Sequence, residues 1–411
     1  MKKRLVSLLP MILLAVLTTG CIYDFNPDLQ GQSGFLVVEG DIVLGQTCSF
    51  GLRRSSALDA WREMEYVPFQ NLRVEASDGT VYPARLDFYT QQSTTLVDLT
   101  GADPSLQYRL VFDARPKDDA GMQHYASAWL SVVPAATIDG MSYEINDAGT
   151  QLAVRISTHS GEKKGYYRWT AEETWEYRAD VYARFFFAPA GTVYYGTVAA
   201  RDTVLPYENG ENFYYCWSSV LRDGLMSAST ESLSEDRLVD HQLYMLSCCD
   251  DKLSYYYSVE IRQDRITEEA YRYWQMMQRN NTDVGGLFSP EPSEMRGNIK
   301  NMDDETELVL GYVSVVSPVK HRLFIDNAVT HFHKDQNWAP LPDPEIPEPS
   351  EWRLFSLQGY VPVSAFEPDD PKATLRPGYV QLYNWRPRNC ADCRLKGGNK
   401  NKPEYWPTPE I

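Results

Sequence analysis

A cysteine that follows a small residue at the end of an apolar run is placed for one reaction, transfer of a diacylglycerol to its sulfur. Leu17-Thr18-Thr19-Gly20-Cys21 has that arrangement and resembles a bacterial lipobox, although Thr18 stands where the pattern prefers leucine. Cys21 is therefore the expected lipidation site. Cys48, Cys216, Cys248, Cys249, Cys390 and Cys393 remain, an even six suited to an oxidising compartment. Cys390-Ala391-Asp392-Cys393 could close a local disulfide, join Cys216 or another thiol on zinc, or act as a redox pair. Redox chemistry wants the first thiol at a helix N-terminus after a strand. A Gly/Asn/Lys-rich tail follows instead, which favours the structural disulfide. Adjacent Cys248 and Cys249 cannot easily bond each other, so at most one of them, with Cys248 the candidate, reaches Cys216.

His331-x-His333 would set two imidazoles on one face of a strand, a spacing used by metal sites, but no third ligand stands nearby and a surface strand is expected. Glu172, Glu173 and Glu176 invite comparison with a glycosidase carboxylate pair. In a strand Glu172 and Glu173 point to opposite faces, so they cannot be that pair. Nucleophile-elbow, zinc-protease, phosphate-loop and dinucleotide fingerprints do not occur, so no catalytic residue, metal ligand or cofactor is assigned. Asp202-Thr203-Val204 resembles an Asp-Ser/Thr-apolar acceptor of periplasmic O-glycosylation, with Thr203 carrying the sugar if its loop is exposed.

These groups need elements to position them. Lys2, Lys3 and Arg4 precede an apolar run from Leu5 to Leu17 that is shorter than a membrane span, so residues 1–20 read as a lipoprotein signal peptide and 21–34 as a polar tether. The chain has 411 residues and a formal charge of -17, an acidic balance that excludes a nucleic-acid binder working through phosphate neutralisation. Its 27 Tyr and 10 Trp fall mostly at alternate strand positions, where core packing is the first expectation and ligand stacking the second.

The fold class is expected to be mainly β. Over 35–134, the alternation of Leu36 with Val38, Leu72 with Val74 and Ala76, and Tyr108 with Leu110 and Phe112, with an Asp78-Gly79 turn, predicts an immunoglobulin-like β-sandwich. Residues 135–335 predict a larger β-rich domain, with strands at 166–170, 182–187, 255–261 and 308–316. It carries one amphipathic helix, capped by Thr267, that presents Ala270, Tyr273, Trp274 and Met277 on one face. A Pro-rich connector is expected over 336–352. Residues 353–411 then read as short strands at Trp352–Tyr360 and Gly378–Trp385 and a polar tail exposing Tyr405 and Trp406, the whole completing the second domain.

Several strings, in order, resemble one known family. They are Leu36-Val37-Val38-Glu39-Gly40, Tyr167-Arg168-Trp169, Glu173-Thr174-Trp175-Glu176-Tyr177, Cys216-Trp217, Gly285-Gly286-Leu287-Phe288, Gly297-Asn298-Ile299, Leu310-Gly311-Tyr312, Cys390-Ala391-Asp392-Cys393-Arg394 and Pro403-Glu404-Tyr405-Trp406. The sequence is similar to the Bacteroidota outer-membrane lipoproteins that carry domain of unknown function 4249. Cys48 and the Cys248-Cys249 pair depart from that pattern. The resemblance implies an outer-membrane, lipid-anchored protein on the periplasmic or cell-surface face, commonly encoded beside a TonB-dependent transporter, with no assigned catalytic residues. The expected function is thus a non-enzymatic accessory or substrate-capture partner of such a transporter. The alternatives are a surface hydrolase acting on glycans or peptides and an envelope assembly scaffold.

Overall fold

The computed structural model describes residues 34–55, 67–86, 95–116, 121–194, 196–208, 212–248, 250–282, 296–326, 341–368 and 380–407. Cys21, the leader, Cys249, His331 and His333 lie outside the described residues.

Period-two burial builds the first body. Leu36, Val38, Phe50, Leu52, Val74, Leu110 and Phe112 all point into one core, while Arg73, Glu75 and Arg109 form an ion-paired outer row. At the expected hairpin, Gly79 takes φ +93°, Asp78 accepts the Thr80 amide at 2.8 Å, and strands Phe69–Ala76 and Val81–Leu86 pair across the turn. The buried Tyr108 hydroxyl donates to the Asp103 carbonyl at 2.6 Å, the tyrosine-corner contact of immunoglobulin-like sandwiches.

The sheet path runs from Gln123–Ser127 through Gln107–Ala114, Phe69–Ala76, Val81–Leu86, Thr95–Asp98 and Thr47–Arg54 to Leu36–Glu39. Its two ends are completed by Ile299–Asn301 and Val309–Leu310, so the sandwich layers join into a nearly closed, barrel-like sheet. Of the stretch placed by sequence in the larger domain, Ile299–Asn301 and Val309–Leu310 thus pair in the first sheet, while Val315–Val316 forms a separate two-stranded sheet with Ile42–Val43.

The strand expected over 308–316 is broken at Gly311. That residue takes φ +111°, and a Cβ there would sit 2.1 Å from the Val38 carbonyl oxygen. The chain turns at this close approach, pairing Val309–Leu310 with Leu36–Val37 and then Val315–Val316 with Ile42–Val43. Gly311→Ala is accordingly expected to cost about 3 kcal/mol through φ strain and steric conflict together, measured by urea unfolding. A loss below about 1 kcal/mol would mean the three backbone segments can part freely.

In the second body, Tyr166–Arg178 lies between Tyr215–Leu221 and Tyr256–Ile266, with Val319–Asp326 beyond. Nine of its 13 residues are buried because both faces are covered. Tyr167, Trp169, Ala171 and Trp175 pack with Leu152, Val154 and Ile156 of the Thr137–Ile145, Gln151–His159, Arg237–Ser247 sheet. On the other face Arg168 reaches Asp41 of the first body and Asp264 of the neighbouring strand at 2.5 and 2.8 Å. The helix Glu268–Thr282 starts as expected, Thr267 Oγ1 accepting the Ala270 amide at 3.2 Å. Its apolar stripe enters the first core through Ala270, with Tyr271 and Trp274 against it.

A third unit combines two stretches that are distant in sequence. The ribbon Phe185–Ala188 with Thr203–Pro206 packs Val204 against Trp352 and Trp385, while Ala183 packs against Val363 and Ala391. Trp352, Val363, Trp385 and Ala391 therefore join Ala183 and Val204 in small cores of their own. Trp352–Leu357 is a helix, not the expected strand: Trp352 and Phe355 stand three apart on its inner face, and Gly359 at φ +84° ends the turn that follows. The hairpin Tyr360–Ala365 with Tyr383–Pro387 follows, and Glu345 of the connector bridges to Trp385.

The tail is not a free polar end. Asn399 exchanges two 2.8 Å backbone hydrogen bonds with Trp217, and Trp406, expected to be exposed, is 3% exposed with its indole nitrogen donating to Glu176. Tyr405 does remain part-exposed, under the Arg322 guanidinium.

Candidate functional site

The buried acids of the central strand are the first places to look for chemistry. Glu172 is exposed, whereas Glu173 and Glu176 are buried on opposite faces. Glu173 accepts from Tyr257 Oη at 2.7 Å, Arg222 at 3.0 Å and Lys252 at 2.7 Å. Glu176 accepts from Arg178 at 2.5 Å and from Trp406. Each carboxylate is held by donors of its own sheet and loops, as expected of a buried charge, and neither confronts another carboxylate across a cleft.

The cysteines pair differently from the sequence expectation. Cys393 bonds Cys216, 177 residues away with Cα atoms 5.8 Å apart, and not its neighbour Cys390, which is a buried thiol. Cys248 is likewise not the partner of Cys216. The reason is positional: Cys393 opens a short helical turn, its amide donating to the Phe213 carbonyl at 2.9 Å and setting it beside the Tyr215–Leu221 strand, while the Cys390 carbonyl accepts the Val181 amide at 2.9 Å. Gly398 closes over this bridge so tightly that a Cβ would lie 2.6 Å from Cys216 Cβ. Cys48 is a second buried thiol, in the first core. Among the described residues no group of His, Cys, Asp and Glu is arranged to hold a metal.

Beside the disulfide lies a cavity of about 280 Å³ in the third unit. Its walls are Phe186 and Phe187 from the ribbon, Tyr207 and Phe213 from the segment leading to Cys216, and Tyr360 from the C-terminal hairpin. Phe186 lies 5.1 Å from Tyr207, and Tyr207 stands nearly perpendicular to Phe213 at 6.3 Å. The charged wall is Arg388 and Asp392, one helical turn apart, joined by a 3.1 Å hydrogen bond. Asp392 also accepts two guanidinium nitrogens and the amide of Arg394, and Arg394 lies 3.6 Å over the Phe213 ring. Burial would raise the Asp392 pKa, but these arginine contacts outweigh it and hold the carboxyl below its usual value. Burial, reinforced by Asp392, pushes the Tyr207 hydroxyl upward.

None of these wall residues was marked as a site by sequence. Phe185-Phe186-Phe187 was visible only as a β-prone aromatic run, and Arg388 gave no signal, because its partners arrive from segments about 180 residues upstream. A larger cleft of about 590 Å³ on the first body is lined by Phe69, Leu72, Pro83 and Thr95, with Arg73 already engaged by Glu75. Thr203 is half-buried and paired with Ala188 in the ribbon, and Asp202 before it is held by both guanidinium contacts of Arg353, so the proposed acceptor sits at a strand start and not in an open loop.

Comparison with known proteins is consistent with this picture without extending it. No protein of curated function matches the chain. A DUF4785 family protein from Legionella pneumophila matches at 11% identity and a TM-score of 0.18, covering 56% of this chain, which spans about half (52%) of that structure. Residues 22–322 match the family described as "Domain of unknown function (DUF4249)". That stretch is well over half of the sequence, so the chain belongs to the DUF4249 family.

Proposed function

We propose that this protein is an outer-membrane lipoprotein, anchored through Cys21, that captures a small ligand as the accessory partner of a TonB-dependent transporter. The observation that carries the reading is the aromatic cavity of about 280 Å³, whose charged wall groups, Arg388 and Asp392, are bound to each other. Such a wall orients and holds a ligand; a hydrolase would need a nucleophile or base free to exchange a proton. The best-buried acids elsewhere, Glu173 and Glu176, are committed to internal ion pairs, which counts against the hydrolase alternative. The lipobox-like Leu17–Cys21 segment supports anchorage by acyl chains, and the acidic charge of -17 supports solubility beside a membrane and not attraction to it.

Affinity purification of the tagged chain from membranes in mild detergent is expected to recover an outer-membrane barrel, and Cys21→Ala is expected to shift the chain to the soluble fraction. Recovery of a monomer with no barrel would remove the transporter partnership.

A further inference from the structure

The cavity's chemistry specifies its ligand more closely. Asp392 accepts four donors, three from Arg394 and one from Arg388, so its carboxylate is fully occupied. Arg388 gives Asp392 only its Nε; among the described residues its two terminal nitrogens make no hydrogen bond, and its side chain is 52% exposed. Two guanidiniums around one carboxylate leave this wall net positive, on a chain whose overall charge is -17. Phe186, Phe187, Tyr207, Phe213 and Tyr360 line the same cavity with ring faces and edges, and Tyr207 Oη makes no hydrogen bond among the described residues. A guanidinium with two free donors in a cavity otherwise walled by aromatic rings is the complement of a six-membered ring bearing a single carboxylate.

We infer that the cavity binds a ring carboxylate, with the ring between the aromatic walls and the carboxylate on the terminal nitrogens of Arg388. This rests on the reading of the cavity as a capture site and adds the class of what is captured. The ring can come from an aryl acid or from a uronic acid sugar, which share the chemistry of a planar anion on a six-membered ring. The small number of free hydrogen-bond groups, Arg388, Tyr207 Oη and the Ser356 hydroxyl, leaves most sugar hydroxyls to face the open side.

The test is calorimetric or NMR titration of the soluble chain beginning after Cys21 with four probes: phenylacetate, its neutral isostere phenylacetamide, glucuronate and glucose. At least one acid is expected to bind about tenfold more tightly than its neutral counterpart, because a charge-assisted bidentate contact replaces a neutral one. Arg388→Gln is expected to bring that acid down to the affinity its neutral partner shows in the same variant, and Arg388→Lys to retain part of the difference. An unchanged melting temperature shows that the fold is intact in the variant. Preference for phenylacetate identifies the aryl source and preference for glucuronate the sugar source. Equal binding of acid and neutral probes, or an acid preference that survives Arg388→Gln, overturns the ligand class and leaves capture standing. Absence of binding by all four up to ~10 mM overturns both for this cavity, whether or not a barrel co-purifies.

Discussion

Arg168→Met is expected to destabilise the protein by about 3 kcal/mol, because methionine roughly preserves the volume and removes the charge on which one buried and one part-buried carboxylate depend. Arg168 is buried, and its side chain joins Asp41 of the first body to Asp264 of the second. Burial alone would lower its pKa, yet the two carboxylates more than reverse that and raise it, so the guanidinium is charged throughout the accessible range. Removing it leaves Asp264, 2% exposed at its side chain, with only the Arg262 contact at 3.0 Å among the described residues. Asp41 retains the Ser314 amide at 3.0 Å. These residual donors put the cost at the lower end of what breaking a buried pair produces. The Trp274 ring, 5.3 Å from the guanidinium, also loses its cation contact. Adding Asp41→Asn and Asp264→Asn to the methionine variant is expected to restore most of the loss, since the desolvated charges then disappear together. Urea unfolding measures both. A single-variant loss under about 1 kcal/mol would show that the clamp is solvated and contributes little to docking of the two bodies.

The parts of this architecture legible in sequence are those set by neighbours within a few positions. Thr267 caps its helix, Asp78-Gly79 closes its hairpin, and strand alternation puts Leu36 and Val38, or Tyr108 and Leu110, on one side, because each depends on φ, ψ and periodicity alone. The illegible parts are set by chain returning from afar. Leu308 to Val316 is an apolar run interrupted only by Gly311 and Ser314, and nothing local says that Val38, some 270 positions earlier, comes within contact of that glycine. Trp352–Leu357 carries too few residues for period 3.6 to be distinguished from period 2, and only its docking of Trp352 against Trp385 selects the helix. Trp406 lies in a stretch of Asn, Lys and Pro whose composition reads as solvent-facing, yet one aromatic side chain seated on Glu176 suffices to hold the tail down.

The same distinction governs the cavity. Its aromatic residues were readable as β-prone, but alternate aromatics serve cores and binding walls equally, so identity could not separate the two uses. What separates them is the arrival of Arg388 and Asp392 in one cavity with Phe186 and Tyr207, residues some 180 to 200 positions apart in the chain. Cys393 offered the one usable signal. As half of a Cys-x-x-Cys string its natural partner was Cys390, and the choice of Cys216 instead depends on the register between the tail and the Tyr215–Leu221 strand.

Cys393→Ser is expected to lower stability by about 3–5 kcal/mol and to weaken ligand binding in the cavity, since this bridge closes a chain loop spanning 177 residues. Loop-closure entropy in the unfolded chain grows with such a span, which places the effect in the upper part of the usual range. The consequence for the site is geometric. Phe213 stands three residues before Cys216 and Asp392 directly before Cys393, so the sulfur bridge ties an aromatic wall to the charged wall. Cutting it leaves those walls held by the Cys393 amide on Phe213, the Lys396–Asp180 pair and the two Trp217–Asn399 hydrogen bonds. Trypsin is expected to attack first at Lys396 and Lys400, before the first body unfolds. Cys216→Ser is expected to be milder, because it frees Cys393 three residues from the buried Cys390 thiol and permits a local bridge that fixes the turn but not its attachment to the strand. Thermal melts of the two variants, with thiol counting under denaturing conditions, separate the cases: two fewer free thiols in Cys216→Ser than a full set of reduced cysteines require would register the local bridge. Equal melting temperatures for both variants and the native chain would mean that the tail's hydrogen bonds and Trp406 alone fix the charged wall, leaving the disulfide without a part in forming the site.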